Sequence, residues 1–163
     1  MTIVKLLCAI ALAASIAAAQ NKVSGTAQCP GKPGESHSID VGDHPGHAYT
    51  IDKWECTWTK PLEISGLKTT SDSAADFMEI DGSRAKEHSF RVEATDGGDK
   101  YYVRTQGTDT MKEETFVSGE GTWTFAGGTG KLKGLKGKGT YKCMPAGDNV
   151  DCDVEGEYTL AAK

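Results

Sequence analysis

The sequence predicts an all-β domain of about eight antiparallel strands, closed as a barrel or packed as a sandwich. Three observations carry this. Apolar and polar residues alternate with period two through short runs. Gly, Asp and Asn turn signals separate the runs at regular intervals. No stretch sustains a 3.6-residue apolar period, so little helix is expected. The 20 glycines all lie beyond residue 19 and suit the turns and bends of a closed sheet.

Taken in order, "HAYTIDKWECTW" (47–58) places Trp54, Cys56 and Trp58 on one face of a strand. "GLKTTSDSAAD" (66–76) lacks apolar alternation and reads as a surface loop. "ADFMEI" (75–80) runs into the turn signal "DGS". "HSFRVEA" (88–94) sets His88, Phe90, Val92 and Ala94 against Ser89, Arg91 and Glu93. "TDGGD" turns the chain into "KYYVRTQGT" (100–108), where Tyr102 and Arg104 alternate. "GTWTFA" (121–126) pairs Trp123 with Phe125, and "GTYKC" with "CDVEGEYTL" forms a final hairpin.

The first nineteen residues have the anatomy of a cleaved secretory leader: Lys5, an apolar run over 6–19, and Ala17-Ala18-Ala19 before Gln20. The run is too short for a membrane span. Residues 20–163 then form one domain, secreted or periplasmic, with no membrane insertion. The formal net charge is −5, which argues against nucleic acid or an anionic membrane as partner. Four cysteines follow the leader, and an even number in an exported chain reads as two disulfides. Only eight residues, rich in turn formers, separate Cys143 from Cys152, which suggests a bridge across a hairpin and leaves Cys29 with Cys56. The two other connectivities stay open. No Cys-x-x-Cys pair exists to build a zinc site.

"GGTGKLKGLKGKG" (127–139) raises the question of phosphate binding. It fails on spacing. Gly130-Lys131 is followed by Leu132 where a P-loop needs Ser or Thr, and a dinucleotide fingerprint would need glycine at Lys133. Three glycines in "LKGLKGKGTYK" also make a poor following helix. No cofactor is expected. The lysines read as a solvated turn.

The same stretch, following "TWTFA", resembles the G-G-[ST]-G-x-[FL]-x-x-x-x-G signature of plant allene oxide cyclases and dirigent proteins. "IDVGDHPGHAY" (39–49) resembles the cyclases' first barrel strand and loop, I-N-E-R-D-R-x-x-P-A-Y, with Ile39, Asp43, Ala48 and Tyr49 in register. The chain is also similar to small exported bacterial proteins of this barrel class. The resemblance implies an eight-stranded antiparallel calycin-like barrel, with Leu132 and Leu135 plugging one end. It does not carry the cyclase chemistry over. Ser38 stands where the cyclases have a substrate-handling glutamate, Asp40 replaces the motif's Asn, Gly46-His47 replaces a water-holding Ser-Pro, and Asp109 falls near the place of a site tyrosine. No catalytic residue is therefore assigned.

Other candidate chemistry is thin. "DHPGH" (43–47) offers a carboxylate and two imidazoles, but a Pro-Gly turn does not fix two histidines on one face, so no metal is assigned. His37 and His88 lie in no catalytic motif, and His88 reads as a core or interface residue. Glu155 and Glu157 share a strand face, more often a solvated face than a glycosidase pair.

A small barrel either fills with side chains or holds one small ligand. The expectation is a protein that binds a small apolar or amphipathic molecule, with Asp40, His47, Trp54, Trp58, Tyr102 and Arg104 as ligand-binding residues. Asp40 and Arg104 are expected to pair inside, and the mouth is expected near residues 38–47. The alternatives are a cyclase or isomerase acting by shape, and a packed structural or interaction barrel of the cell envelope. Homo-oligomerisation is a further expectation.

Overall fold

A computed structural model describes residues 20–113 and 115–161. The expected leader over 1–19 lies outside the described residues. The chain forms ten strands: β1 (Asn21–Pro30), β2 (Glu35–Asp40), β3 (His47–Lys60), β4 (Glu63–Ile64), β5 (Leu67–Asp81), β6 (Arg84–Thr95), β7 (Lys100–Lys112), β8 (Thr115–Gly128), β9 (Lys136–Ala146) and β10 (Asn149–Thr159). A single 3-10 turn, Gly130–Leu132, is the one helical element among the described residues.

Eight of these strands close into an antiparallel barrel in the order β1-β10-β9-β8-β7-β6-β5-β3, with β3 returning to β1. β2 pairs with the first half of β3 and is exposed along its whole length. β4 is a two-residue addition to the start of β5. The eight-stranded barrel expected from the sequence is what forms.

The two ends differ. At one end the β3–β5 connection, the β6–β7 turn and the β8–β9 connection meet. Leu62, Ile64, Leu67, Leu132 and Leu135 are buried there around Tyr101 and Tyr158. The glycine-rich signature has this task. Gly127 and Gly130 adopt φ of +128° and +47°, which non-glycine residues rarely take, and the reversal drives Leu132 and Leu135 into the barrel. The opposite end carries the β1–β2 and β2–β3 loops and the β5–β6, β7–β8 and β9–β10 hairpins, and it is open.

Inside, β9 and β10 present glycines where bulk would otherwise meet. A Cβ at Gly139 would lie 2.6 Å from Trp123 Cε2, and one at Gly156 would also strike the indole. The large ring of Trp123 fits only because those positions are empty, and its Nε1 donates to the Thr140 and Glu155 carbonyls, each at 3.2 Å. Both bridges form as expected, Cys29–Cys56 between β1 and β3 and Cys143–Cys152 across the β9–β10 hairpin.

Two readings of the strands are corrected. Residues 66–76 are not a loop: from Leu67 on they are the first part of β5. Within them Thr69, Asp72 and Ala74 point inward and are buried. In β6 the apolar set His88, Phe90 and Val92 faces outward, while Glu87, Ser89, Arg91 and Glu93 face in. His88 is thus an exposed exterior residue. The cause is the same in both strands. The interior of this half of the barrel is polar, so hydrophobicity does not mark the inward face.

Candidate functional site: an acidic cavity in the barrel

The barrel encloses a cavity of about 440 Å³, within the usual range for small-molecule sites. Its lower wall is apolar and aromatic: Trp58, Leu62, Tyr101, Val103, Trp123 and Phe125. Phe125 meets Tyr101 and Trp123 edge to face, with centroids 5.4 and 4.8 Å apart. Met78, Ile80, Met111, Phe116 and Val150 line the region toward the open end.

Between these zones lies a belt of six carboxyl groups: Asp52 on β3, Asp72 and Asp76 on β5, Glu87 and Glu93 on β6, and Asp109 on β7. They follow from strand alternation. Once Trp54, Cys56 and Trp58 face inward, Asp52 must too. Asp76 is its direct cross-strand neighbour.

The lining provides few cations. Arg91 is held by Asp72, which is itself buried. Arg91 Nε lies 3.2 and 3.0 Å from the two Asp72 oxygens, and its Nη2 also donates to Asp72 Oδ2. Lys32 lies in the β1–β2 loop at the mouth. The remaining acids find neutral donors or none. Glu93 accepts Trp58 Nε1 at 2.9 Å, and burial together with the Asp72 charge holds its pKa well above the ordinary range. Glu87 accepts the Tyr141 hydroxyl and is pushed up to about 8 by burial and then by Asp76 and Asp109. Burial likewise raises Asp76 and Asp109, each to about 6. Asp52 accepts Thr50 Oγ1 at 2.9 Å through Oδ2, while its Oδ1 has no partner. Asp76 Oδ1 and Trp54 Nε1 are also buried without partners.

The six residues expected to bind ligand divide sharply. Trp54 and Trp58 line the cavity. Asp40 is exposed on β2, outside the barrel. Arg104 is exposed on the outer face of β7, its guanidinium 5.2 Å from the centre of the Phe90 ring. The expected internal Asp40–Arg104 pair is therefore corrected: β7 turns Tyr101, Val103 and Thr105 inward, which sends Tyr102 and Arg104 out. Tyr102 stacks on Phe90 at 6.1 Å. His47 is half-buried outside the cavity.

Around His47 the β2–β3 loop gathers a second cluster. Asp43 lies 2.8 Å from His47 Nδ1 and 3.2 Å from His44 Nδ1, and Asp81 takes His44 Nε2 at 2.9 Å. The two imidazoles stack at 5.0 Å. The Asp81 hydrogen bond and the Asp43 charge raise His44 above its ordinary pKa. One ligand atom each from Asp43, His44 and His47 lies within 4.8 Å of the others, so these three residues could hold a metal ion. The imidazoles already hydrogen-bond the carboxylates there.

The outer wall is apolar where the inner wall is acidic. Ile51 (58% exposed), Phe77 (46%) and Phe90 (38%) lie on β3, β5 and β6, and Tyr49 stacks on Phe77 at 5.4 Å.

No family model matches the chain, and no curated protein does. Among solved structures, a pterocarpan synthase dirigent protein matches over 96% of this chain and 98% of its own, at 8% identity and a TM-score of 0.46. A likeness of that strength says nothing of activity.

Proposed function

We propose that this chain is an exported barrel that binds one small amphipathic molecule in its interior. The observation that carries the reading is the cavity of about 440 Å³, walled by aromatic rings at its closed end and by carboxyl groups at mid-height. A barrel serving only as a structural element would fill that volume with side chains. The two disulfides suit export to an oxidising compartment. The outward apolar face on β3, β5 and β6 supports self-association, though binding does not depend on it.

A second reading, isomerisation of a bound molecule, has one specific observation in its favour. Glu87, at about 8, and Asp76, at about 6, face the same cavity with values near neutrality, the condition for general acid–base work.

Calorimetric titration with a neutral naphthalene-class dye tests the binding reading. One molecule should bind per chain. Met78→Trp, which fills the half-buried approach to the cavity, should abolish binding without unfolding the barrel. Saturable binding that Met78→Trp leaves unchanged would place the dye elsewhere and refute the interior site. Native mass spectrometry of the secreted protein should also reveal a co-purifying small molecule.

A further inference from the structure

We propose that the molecule this cavity takes is an organic ammonium, its charged nitrogen seated between Asp52 and Asp76 and its apolar body lying against the aromatic closed end. The proposal rests on the interior binding reading above and names the chemical class of the ligand.

Asp52 and Asp76 are direct cross-strand neighbours on β3 and β5, so their Cα atoms are roughly 4.5–5.5 Å apart. Like charges directly opposite one another are destabilising even at a surface. Here both residues are nearly inaccessible, 6% and 7% exposed, and each keeps a buried carboxyl oxygen with no partner. A buried polar atom without a partner costs free energy, and a buried carboxylate needs a cation or a proton. The chain's own interior guanidinium does not fill the role, because Asp72 holds it. Asp52 and Asp76 thus line the cavity with one carboxyl oxygen each that no cation or donor of the chain holds, since Arg91 is committed to Asp72.

The shape of the belt selects among cations. Its six carboxyl groups are spread over four strands. Among the described residues, the group of three or more ligand atoms that converges closely enough for a metal ion is Asp43, His44 and His47, outside the barrel. A compact metal ion would meet too few of the interior oxygens at once. An ammonium carries two or three N–H donors on a carbon body, which suits two acceptors on adjacent strands. Trp54 and Trp58 follow Asp52 at alternate inward positions of the same strand, and tryptophan faces attract ammonium groups. The apolar wall below accepts the rest of the molecule. An anionic ligand would meet six carboxyl groups against Arg91 and Lys32 and should be rejected.

The test is calorimetry at pH 7.5 with three probes sharing one body: 2-(naphthyl)ethylamine, 2-(naphthyl)ethanol and naphthylacetate. The amine should bind at least ten-fold more tightly than the alcohol, and naphthylacetate should not bind. Asp52→Asn with Asp76→Asn should weaken the amine at least ten-fold, while the exterior change Glu155→Gln should leave the amine-to-alcohol ratio unaltered. A thermal melt checks that the double variant folds. If it does not, the wild-type ratio decides alone. Equal affinity for amine and alcohol would overturn the ammonium proposal and leave the cavity reading intact. Tighter binding of the acetate would also overturn it. Failure of all three probes, together with failure of the neutral dye, would remove both readings.

Discussion

Replacing Glu87 by Gln should make the barrel more stable at alkaline pH, although it alters a buried, hydrogen-bonded side chain. Glu87 is 9% exposed and accepts the Tyr141 hydroxyl. Burial, with the charges of Asp76 and Asp109, lifts its pKa from the ordinary 4.5 to about 8, and Arg91 offsets this only in part. The folded protein therefore keeps a proton that the unfolded chain has already released. A raised acid contributes stability that is full below the unfolded value and is lost as pH rises through the folded one. At about 1.4 kcal/mol per pH unit, a rise from 4.5 to about 8 corresponds to on the order of 5 kcal/mol. Asp76 and Asp109, each lifted from 3.8 to about 6, add losses of the same sign that are complete by about pH 7. The three groups repel one another, so their contributions do not simply add.

Wild-type stability should accordingly fall by several kcal/mol between pH 5 and pH 9. This is a large share of the roughly 5–15 kcal/mol that holds a typical domain together. Gln keeps an acceptor for Tyr141 but cannot ionise, so the variant should lose less. The two chains should be of similar stability at pH 5, and Glu87→Gln should lead by on the order of 3–5 kcal/mol at pH 9. Urea unfolding followed by tryptophan fluorescence, with disulfides intact, measures both profiles. Parallel curves for the two chains would refute the argument, as would a wild type whose stability rises over this range.

Further outcomes follow from the same geometry. Arg91→Ala should cost about 3–5 kcal/mol, because it strands the buried Asp72 carboxylate, while Arg104→Ala should cost under about 1 kcal/mol, the worth of its exposed contact with Phe90; paired thermal melts check both. Gly139→Ala should destabilise by about 1–3 kcal/mol or more, since its Cβ would collide with Trp123, and the near-ultraviolet dichroism of that indole should change with it. Removing the Cys143–Cys152 bridge should cost about 2.5 kcal/mol for its nine-residue separation, and removing Cys29–Cys56 about 3.5 kcal/mol for its separation of 27, as read from urea midpoints of the Ser variants.

The sequence exposes the sheet far better than it exposes the site. Alternation located most of the strands, and the cysteine spacing located the hairpin bridge, because both signals are local. Residues 66–76 escaped because the inward positions Thr69, Asp72 and Asp76 are not apolar, and a strand whose buried face is polar has no hydrophobic period to read. Strand β6 misled for the same reason. Its apolar residues cover the outside, so the rule that hydrophobic means inward reverses there. Trp54 and Trp58 were legible because their phase is shared with Cys56. That phase already implied an inward Asp52, and this signal could have found the acidic belt. The resemblance that suggests Asp40 and the alternation that joins Arg104 to Tyr102 do not fix which way either strand faces, and both residues are exposed.

The inward acids also explain how the barrel divides its labour. Each buried carboxyl group costs stability, and six of them facing a cavity would be hard to sustain in a uniformly built domain. The chain concentrates its apolar packing at the closed end, where Leu62, Ile64, Leu132 and Leu135 are almost inaccessible. Cys29, Cys143 and Cys152, from both disulfides, border the cavity. Covalent links add stability there without apolar volume, so the interior can stay both hollow and charged. Local departures from the rules that stabilise a fold tend to gather where a protein functions. In this barrel they gather on the inward faces of β3, β5, β6 and β7, around one cavity. A molecule that supplies the missing positive charge would bind there and stabilise the fold together, more strongly as the pH rises and the acids ionise.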